Sequence, residues 1–421
     1  MRLRPESLAY TLFLSALGGI TPLSVDMGLP ALVPIGASLH VSAAATGLTL
    51  SFFLAGIALG PVVLGPVSDR YGRRPVLLAG CTFFTIAGAG CALAHSLPLL
   101  LFWRLIAGVG AGAASTLSLA IVRDLFDGAA ARVKLSYVGT VGTIAPMIAP
   151  TLGTLILIWA NWRAIYATLA LSGALLLLAV VCLFSESHGS RDQTALEPRQ
   201  LLTNYGRVFR NPICLGYALV ASFNFGCMFS YISSSPLIMM GVLGVSTAFY
   251  GWTFAATALG IMTGAFINGR LNARGVPGTV LLTFGLVTSF LSAMILLIIG
   301  HCGWAHLDTV LPLLVLNTFC IGFIGPNASQ GVMHPMPDIA GIASAVLGSL
   351  RMLTGALAGV LVAAFYDGHT INAMAGMMTL FSGASLLVYL GLVRTLERSS
   401  VSLAENDMQS VSLVPDAGEI L

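Results

Sequence analysis

Of the 421 residues, 57% belong to the hydrophobic set and only 8% are charged, with a formal net charge of +3. A soluble domain carries about 25% charged residues, so this chain cannot cover a water-exposed surface, and lipid must serve as solvent for much of it. The seven cysteines (Cys81, Cys91, Cys182, Cys214, Cys227, Cys302 and Cys320) fall mostly inside apolar runs and form no CxxC pair, which argues against a disulfide framework, a metal site or any other cofactor.

A bilayer core of roughly 30 Å needs about 20 apolar residues per helix. By that measure spans lie near 8–35, 44–67, 76–94, 97–122, 134–158 and 163–184, and again near 212–240, 245–268, 277–299, 309–332, 340–366 and 371–393. The first run follows a basic start, MRLRPESLAY, but continues past Pro22 to about Pro34. That is too long for a signal-peptide core, so it reads as an uncleaved first span. The polar stretch 185–211 separates six helices from six. The expected organisation is an N-terminal bundle 1–184, a linker 185–211, a C-terminal bundle 212–393 and a disordered polar tail 394–421. The fold class is therefore an all-α polytopic membrane protein of twelve transmembrane helices in two pseudo-symmetric six-helix bundles.

Arginine and lysine set the topology. Sixteen of them, Arg70, Arg73, Arg74, Arg123 and Arg132 among these, fall at the span ends of one side, against Arg163 alone on the other. Both termini are expected in the cytoplasm.

The halves repeat. A shift of 204 residues lays 41–70 on 245–274, where Val41, Ser42, Gly47, Thr49, Gly56, Ile57, Gly60, Gly65 and Arg70 each meet an identical residue. A second pairing, at a shift of 206, sets Gly142 on Gly348 and Gly153 on Gly359. Duplicated six-helix halves are a transporter signature, with the substrate site between them near the midplane.

Three full charges lie well inside the expected hydrocarbon: Asp26, Arg104 and Arg351. Such charges cost roughly 2.5–3.5 kcal/mol or more, so they face a cavity or a partner. Asp26 sits eight residues before Pro34, and Arg104 seven after Leu97. At 1.5 Å per residue both lie roughly 10–12 Å below the outer surface. Equal depth permits a buried Asp26–Arg104 couple, in which the carboxylate binds a proton when its partner moves away; a static structural ion pair is the other reading. For Arg351, contact with substrate or proton-linked groups stands beside a structural role donating to backbone carbonyls.

The loop GPVSDRYGRRP (65–75) offers Gly65 and Gly72 for close approach and a tight turn, and Asp69 for a helix N-terminus or an arginine. With Arg70, Arg73 and the Arg123–Asp124 pair in the same plane, it reads as a conformational latch. Its repeat has Ala273 where Asp69 would recur, so the latch is asymmetric. In helix 5, GTVGTIAPMIAPTLGTLI (139–156), Pro146 and Pro150 should kink or stiffen the span, while Gly139, Gly142 and Gly153 admit a close partner. In helix 7, Phe223, Asn224, Phe225, Phe229 and Tyr231 with a serine run suit a mixed cavity wall, and Asn317 in helix 10 is a further polar candidate.

Together these features resemble the major facilitator superfamily. Loop 65–75 is similar to its signature between helices 2 and 3, and WRLIAGVGAGAAS (103–115) to the helix 4 motif whose arginine is tied to proton coupling. Helix 5 resembles the antiporter motif, with Ala145-Pro146 for Gly-Pro and Gly153-Thr154 for the terminal Gly-Gly. SVDMGLPAL (24–32), SYISSSP (230–236) and PNASQGVMHPMPDIAGIASAVLGSLRM (326–352) look like the Bcr/CflA branch of drug:proton antiporters. The resemblance implies a monomer in a bacterial inner membrane that exports a small amphipathic drug in exchange for protons, with Asp26 the protonatable carboxylate, Arg104 its functional partner and no role for nucleic acid. Gly18 stands where some multidrug relatives carry a second acid, which argues against a two-carboxylate mechanism; Arg351 stands where an uncharged polar residue is expected, which implies a different substrate range. A proton-coupled importer or metabolite exporter on the same fold is the alternative. A membrane-embedded enzyme would need convergent nucleophile, base or metal groups that the spans lack.

Overall fold

Each span owes its helicity to lipid, which leaves backbone groups no partner outside their own segment. The computed structural model describes residues 4–187 and 196–397. It contains twelve helices long and apolar enough to cross a membrane: α1 Leu8–Leu39, α2 Ala43–Tyr71, α3 Arg73–Ala92, α4 Leu97–Leu125, α5 Gly128–Trp159, α6 Trp162–Leu183, α7 Pro212–Val242, α8 Phe249–Ala273, α9 Gly278–His301, α10 Leu307–Met333, α11 Pro337–Phe365 and α12 Asn372–Glu397. They coincide with the twelve expected spans, with several ends running about a turn further. The linker holds a helix of its own, Pro198–Arg210, and α12 continues to Glu397 rather than stopping at 393. The disorder expected of the tail falls on residues 398–421, outside those described.

The repeat is a packing device. Ser42 and its counterpart Ser246 both cap the span that follows, accepting from the amides of Ala45 and Phe249. On α2, Gly56 and Gly60 press against the α4 backbone at Leu105 and Gly112. Their counterparts Gly260 and Gly264 press on α10 at Val315 and Phe319 in the same way. Without a side chain at these crossings the helices meet backbone to backbone, where dispersion is strongest in lipid.

Several spans are deliberately irregular. α1 runs straight to Asp26, tightens at Leu29–Ala31 and resumes at Leu32–Leu39. Pro30, which has no amide to donate, sits in that break. Widened turns follow Leu59 in α2 (Gly60–Leu64) and Pro236 in α7 (Leu237–Val242). By contrast α5 is one uninterrupted helix through Pro146 and Pro150, so the prolines do not break it.

The buried core shows how the halves meet. At the end away from the termini, residues of α7–α12 such as Tyr231, Met239, Tyr250 and Met374 share one apolar core with the whole first half. At the termini end the second half has a separate core, built around Cys214, Ala218, Leu286, Ile324 and Val346. Across the interface α2 meets α11 at Ser51/Gly359 and Leu54/Gly355, continuing to Ala58/Ser349 and Pro61/Gly348 near midspan, and α5 meets α8 at Thr151/Gly251. The molecule is closed at the far end and divided at the end where the chain enters and leaves.

A Cβ at Gly56 or Gly264 would overlap a carbonyl of the facing helix, whereas one at Gly269 meets nothing within 4 Å. Overpacking costs about 1–3 kcal/mol or more. Gly56→Val and Gly264→Val are therefore expected to lose most of the monodisperse peak in size-exclusion chromatography of solubilised protein, while Gly269→Ala keeps it.

Candidate functional site

A cavity of about 510 Å³ lies between the halves, a volume suited to a drug-sized molecule. It is walled by α1, α2, α4 and α5 on one side and α7, α8, α10 and α11 on the other. The walls are mostly apolar, with Leu54, Ile57, Phe225, Met228, Phe229, Phe254 and Met352. A few polar groups converge among them: Thr21, Asp26, Ser115, Thr116, Tyr231, Thr257 and Thr318.

Asp26 is the one carboxylate in that wall. It ends the first segment of α1 and is 3% exposed, and its Oδ1 has no hydrogen-bond partner. An unpaired carboxylate oxygen in so apolar a place is expensive, which keeps Asp26 the leading candidate of the site. Tyr231 faces the same space, its hydroxyl 3.0 Å from Thr257 Oγ1 and its ring stacked beside Phe254.

Arg104 is equally buried but does something different. Its Nη2 donates to the Ser24 carbonyl (3.2 Å) and its Nε to the Thr49 carbonyl (3.2 Å). Its guanidinium lies over the Phe53 ring at 4.0 Å and the Tyr166 ring at 5.6 Å. Ser24 sits in the last turn before the α1 break, where carbonyls lose their intrahelical donors. The permitted Asp26–Arg104 couple is thus not formed: no ion pair joins the two among the described residues. Arginine holds the broken helix end, and the aspartate two residues further on is left for the cavity. Gly153 completes the arrangement, because any side chain there would strike the Met27 carbonyl and Pro30.

The other candidates divide. Gly142 and Pro146 of α5 line the cavity, and Gly142 faces open space rather than a close helix. Pro150 is buried in the same helix, away from the cavity wall. On α7 the cavity face is Phe225, Met228, Phe229 and Ile232, at helical spacing. Phe223 turns instead toward Phe381 of α12, with ring centroids 6.4 Å apart. Asn224 is buried off the wall, and the serines bond their own helix, Ser230 to the Gly226 carbonyl and Ser234 to that of Ser230. Asn317 is not a cavity group either. Its amide donates to Ser289 and Ser292 of α9 and its oxygen accepts from Cys227 of α7, which ties three helices together. Arg351 donates from Nη2 to Ser329 Oγ (2.9 Å) and the Gly325 carbonyl of α10, while its buried Nε has no partner among the described residues.

At the termini end, Arg73 forms the hub of the α2–α3 loop. It pairs with Asp69, donates from Nε to Asp124 Oδ2 (2.8 Å) and reaches Ser68 Oγ (2.6 Å). Gly72, at φ +103°, makes the turn that allows this, whereas Gly65 has no close neighbour. Arg70 and Arg123 are exposed and stand outside the network. Sequence reasoning missed Glu186, whose oxygens accept the amides of Arg73 (2.8 Å) and Arg74 (3.1 Å). Its signal was an acid directly after α6, on the side where positive charge gathers. In the second half neutral amides stand in for these charges, with Asn327 donating to Asn268 and Asn272 to the Asn268 carbonyl.

The model of the Major Facilitator Superfamily matches residues 14–359. The chain belongs to the major facilitator superfamily. It is 30% identical to the "Uncharacterized MFS-type transporter YdgK" of Bacillus subtilis, over 92% of this chain and 96% of that one. It is 30% identical to the "Bicyclomycin resistance protein homolog" of Haemophilus influenzae (86% and 91%) and 29% identical to the "Multidrug resistance protein MdtL" of Escherichia coli (87% and 91%). Among solved structures, a peptide transporter POT in complex with sulfate superposes with a TM-score of 0.73 at 13% identity, covering 92% of this chain and 94% of that one. The xylose transporter XylE from E. coli, in a partially occluded inward open conformation, gives 0.67 at 15% identity (91% and 97%). Membership makes the chain a multi-pass membrane transporter of small molecules and not an enzyme.

Removing Arg104 would strip the Ser24 and Thr49 carbonyls of a charged donor, worth about 1.5–3 kcal/mol per bond. Arg104→Ala is expected to lower the unfolding midpoint of solubilised protein far more than Arg351→Met, which keeps the apolar stem and exposes little. A double-mutant cycle between Arg73→Gln and Asp124→Asn should return a coupling of about 1–3 kcal/mol.

Proposed function

We propose that this transporter exports a small amphipathic compound of the drug or antibiotic class in exchange for protons, as a monomer in a bacterial cytoplasmic membrane with both termini inside. The observation that carries this reading is Asp26: a buried carboxylate with an unpartnered oxygen, in the wall of an otherwise apolar cavity between the two halves. Two relatives named for bicyclomycin and multidrug resistance support the substrate class, and the charge bias of the loops supports the sidedness.

With the termini inside, the divided end faces the cytoplasm, so the cavity is loaded from within. An amphipathic substrate buries its apolar part against Phe225, Phe229 and Phe254 and presents its polar part to Asp26, Tyr231 and Thr257. Loading displaces the proton from Asp26. Rocking of the halves then opens the far end, where a proton returns to the carboxylate and the substrate leaves. The membrane potential adds about 2.3 kcal/mol per charge per 100 mV, so one proton per cycle sustains useful accumulation. Arg104 acts as the fixed point: it keeps the α1 break, and hence the carboxylate, in place in both states. The Arg73 hub keeps the α2–α3 loop rigid while the halves move.

In everted vesicles carrying the protein, Asp26→Asn is expected to abolish uptake of an ethidium-type or bicyclic antibiotic substrate driven by a proton gradient, while leaving substrate binding measurable. Tyr231→Phe should slow it several-fold. Full gradient-driven transport by Asp26→Asn would remove the carboxylate from the mechanism.

A further inference from the structure

The helix Pro198–Arg210 (PRQLLTNYGRVFR) crosses nothing, yet it stops one residue before α7. Asn211 caps the first turn of that span, accepting from the amides of Ile213 and Cys214. The end of the linker helix therefore lies at the edge of the hydrocarbon. One face is tied to the protein. Val208 is fully buried, Tyr205 donates its hydroxyl to the Val62 carbonyl in the widened turn of α2 (3.0 Å), and Arg207 pairs with Asp338 at the start of α11 (2.7 Å). The helix thus straps the two halves at the end where they separate.

Among the described residues, nothing covers Leu202 or Phe209 on the other face. Leu202 and Phe209, 74% and 48% exposed, lie seven residues apart and so in line along the helix. Arg199 and Arg210 are exposed near the two ends of that line and on one flank of it, and neither guanidinium has a hydrogen-bond or ion-pair partner among the described residues. Two bare apolar side chains bracketed by two unpaired cations are poorly placed in water. They are well placed at an anionic bilayer surface, where the apolar groups enter the acyl boundary and the guanidiniums fork onto phosphates. We propose that this helix docks flat on anionic lipid, with Leu202 and Phe209 inserted and Arg199 and Arg210 bound to headgroups. Two arginines at such a surface favour the docked helix by roughly thirty-fold. The inference uses the placement of the helix and is independent of what the cavity carries.

The test uses the full chain with Leu202→Cys labelled by an environment-sensitive fluorophore, in a background where the exposed Cys182 and Cys302 are serine. It is reconstituted in vesicles of phosphatidylcholine alone or with one-third phosphatidylglycerol. The expected result is a blue-shifted emission, quenched by shallow doxyl-lipid, in the anionic vesicles, which Arg199→Gln with Arg210→Gln removes and high salt weakens. The same emission in both vesicle types, or a shift that survives in the double variant, overturns the proposal. A shift seen equally without any anionic lipid but lost on dilution of the protein would assign the face to a second copy instead, and so overturns it too. Because no substrate enters the measurement, a failed transport assay leaves this result untouched.

Discussion

A guanidinium buried in hydrocarbon has to find acceptors, and the arrangement of this protein follows from where Arg104 finds them. Backbone carbonyls inside a regular helix already have one donor, so an arginine deep in a bundle takes either a second lone pair or a helix end that has come undone. The α1 break at Pro30 supplies the Ser24 carbonyl, and the Thr49 carbonyl of α2 supplies the second. The aromatic faces of Phe53 and Tyr166 complete the cage. Once the arginine is satisfied by backbone and rings, Asp26 two residues beyond Ser24 is released from pairing and turned into the cavity. Gly153 is part of the same solution, since α5 approaches the break only where it carries no side chain. Cavity, carboxylate and helix 5 glycine are thus consequences of one buried charge.

The two halves use the same scaffold and different chemistry. The glycine crossings Gly56/Gly60 on α4 and Gly260/Gly264 on α10, and the serine caps Ser42 and Ser246, are near copies, because backbone contact in lipid tolerates little else. Arg70 recurs as Arg274, but the acids were not kept in duplicate. Where the first half has Asp69, Arg73 and Asp124 at its loop, the second has Asn268, Asn272 and Asn327. Amides hold the same kind of corner by neutral hydrogen bonds rather than ion pairs.

The shared core at the far end and the separate core at the termini end are two sides of one constraint. A carrier has to bury its interface at one end to open it at the other, and close packing at α2–α11 and α5–α8 does so here. The linker helix lies at the α2–α11 seam of the divided end and touches both halves through Tyr205 and Arg207. That position explains why a nominally polar connection is ordered next to the span it feeds.

Apolar length and charge placement are local properties, so the sequence by itself determined the twelve spans, the internal repeat, the depth of Asp26, Arg104 and Arg351, and the loop carrying Asp69 and Arg73. It also pointed to the α7 wall, though not to which of its neighbours turn inward: Phe225 and Phe229 do, while Phe223 packs on Phe381. Only the tertiary structure decided who satisfies each buried polar group. Arg104 took carbonyls rather than Asp26, Arg351 took Ser329 and Gly325, and Asn317 took Ser289, Ser292 and Cys227. The reason is physical: backbone carbonyls are present at every position and leave no mark in the residue code, and an acceptor becomes available only where a helix breaks or two helices cross.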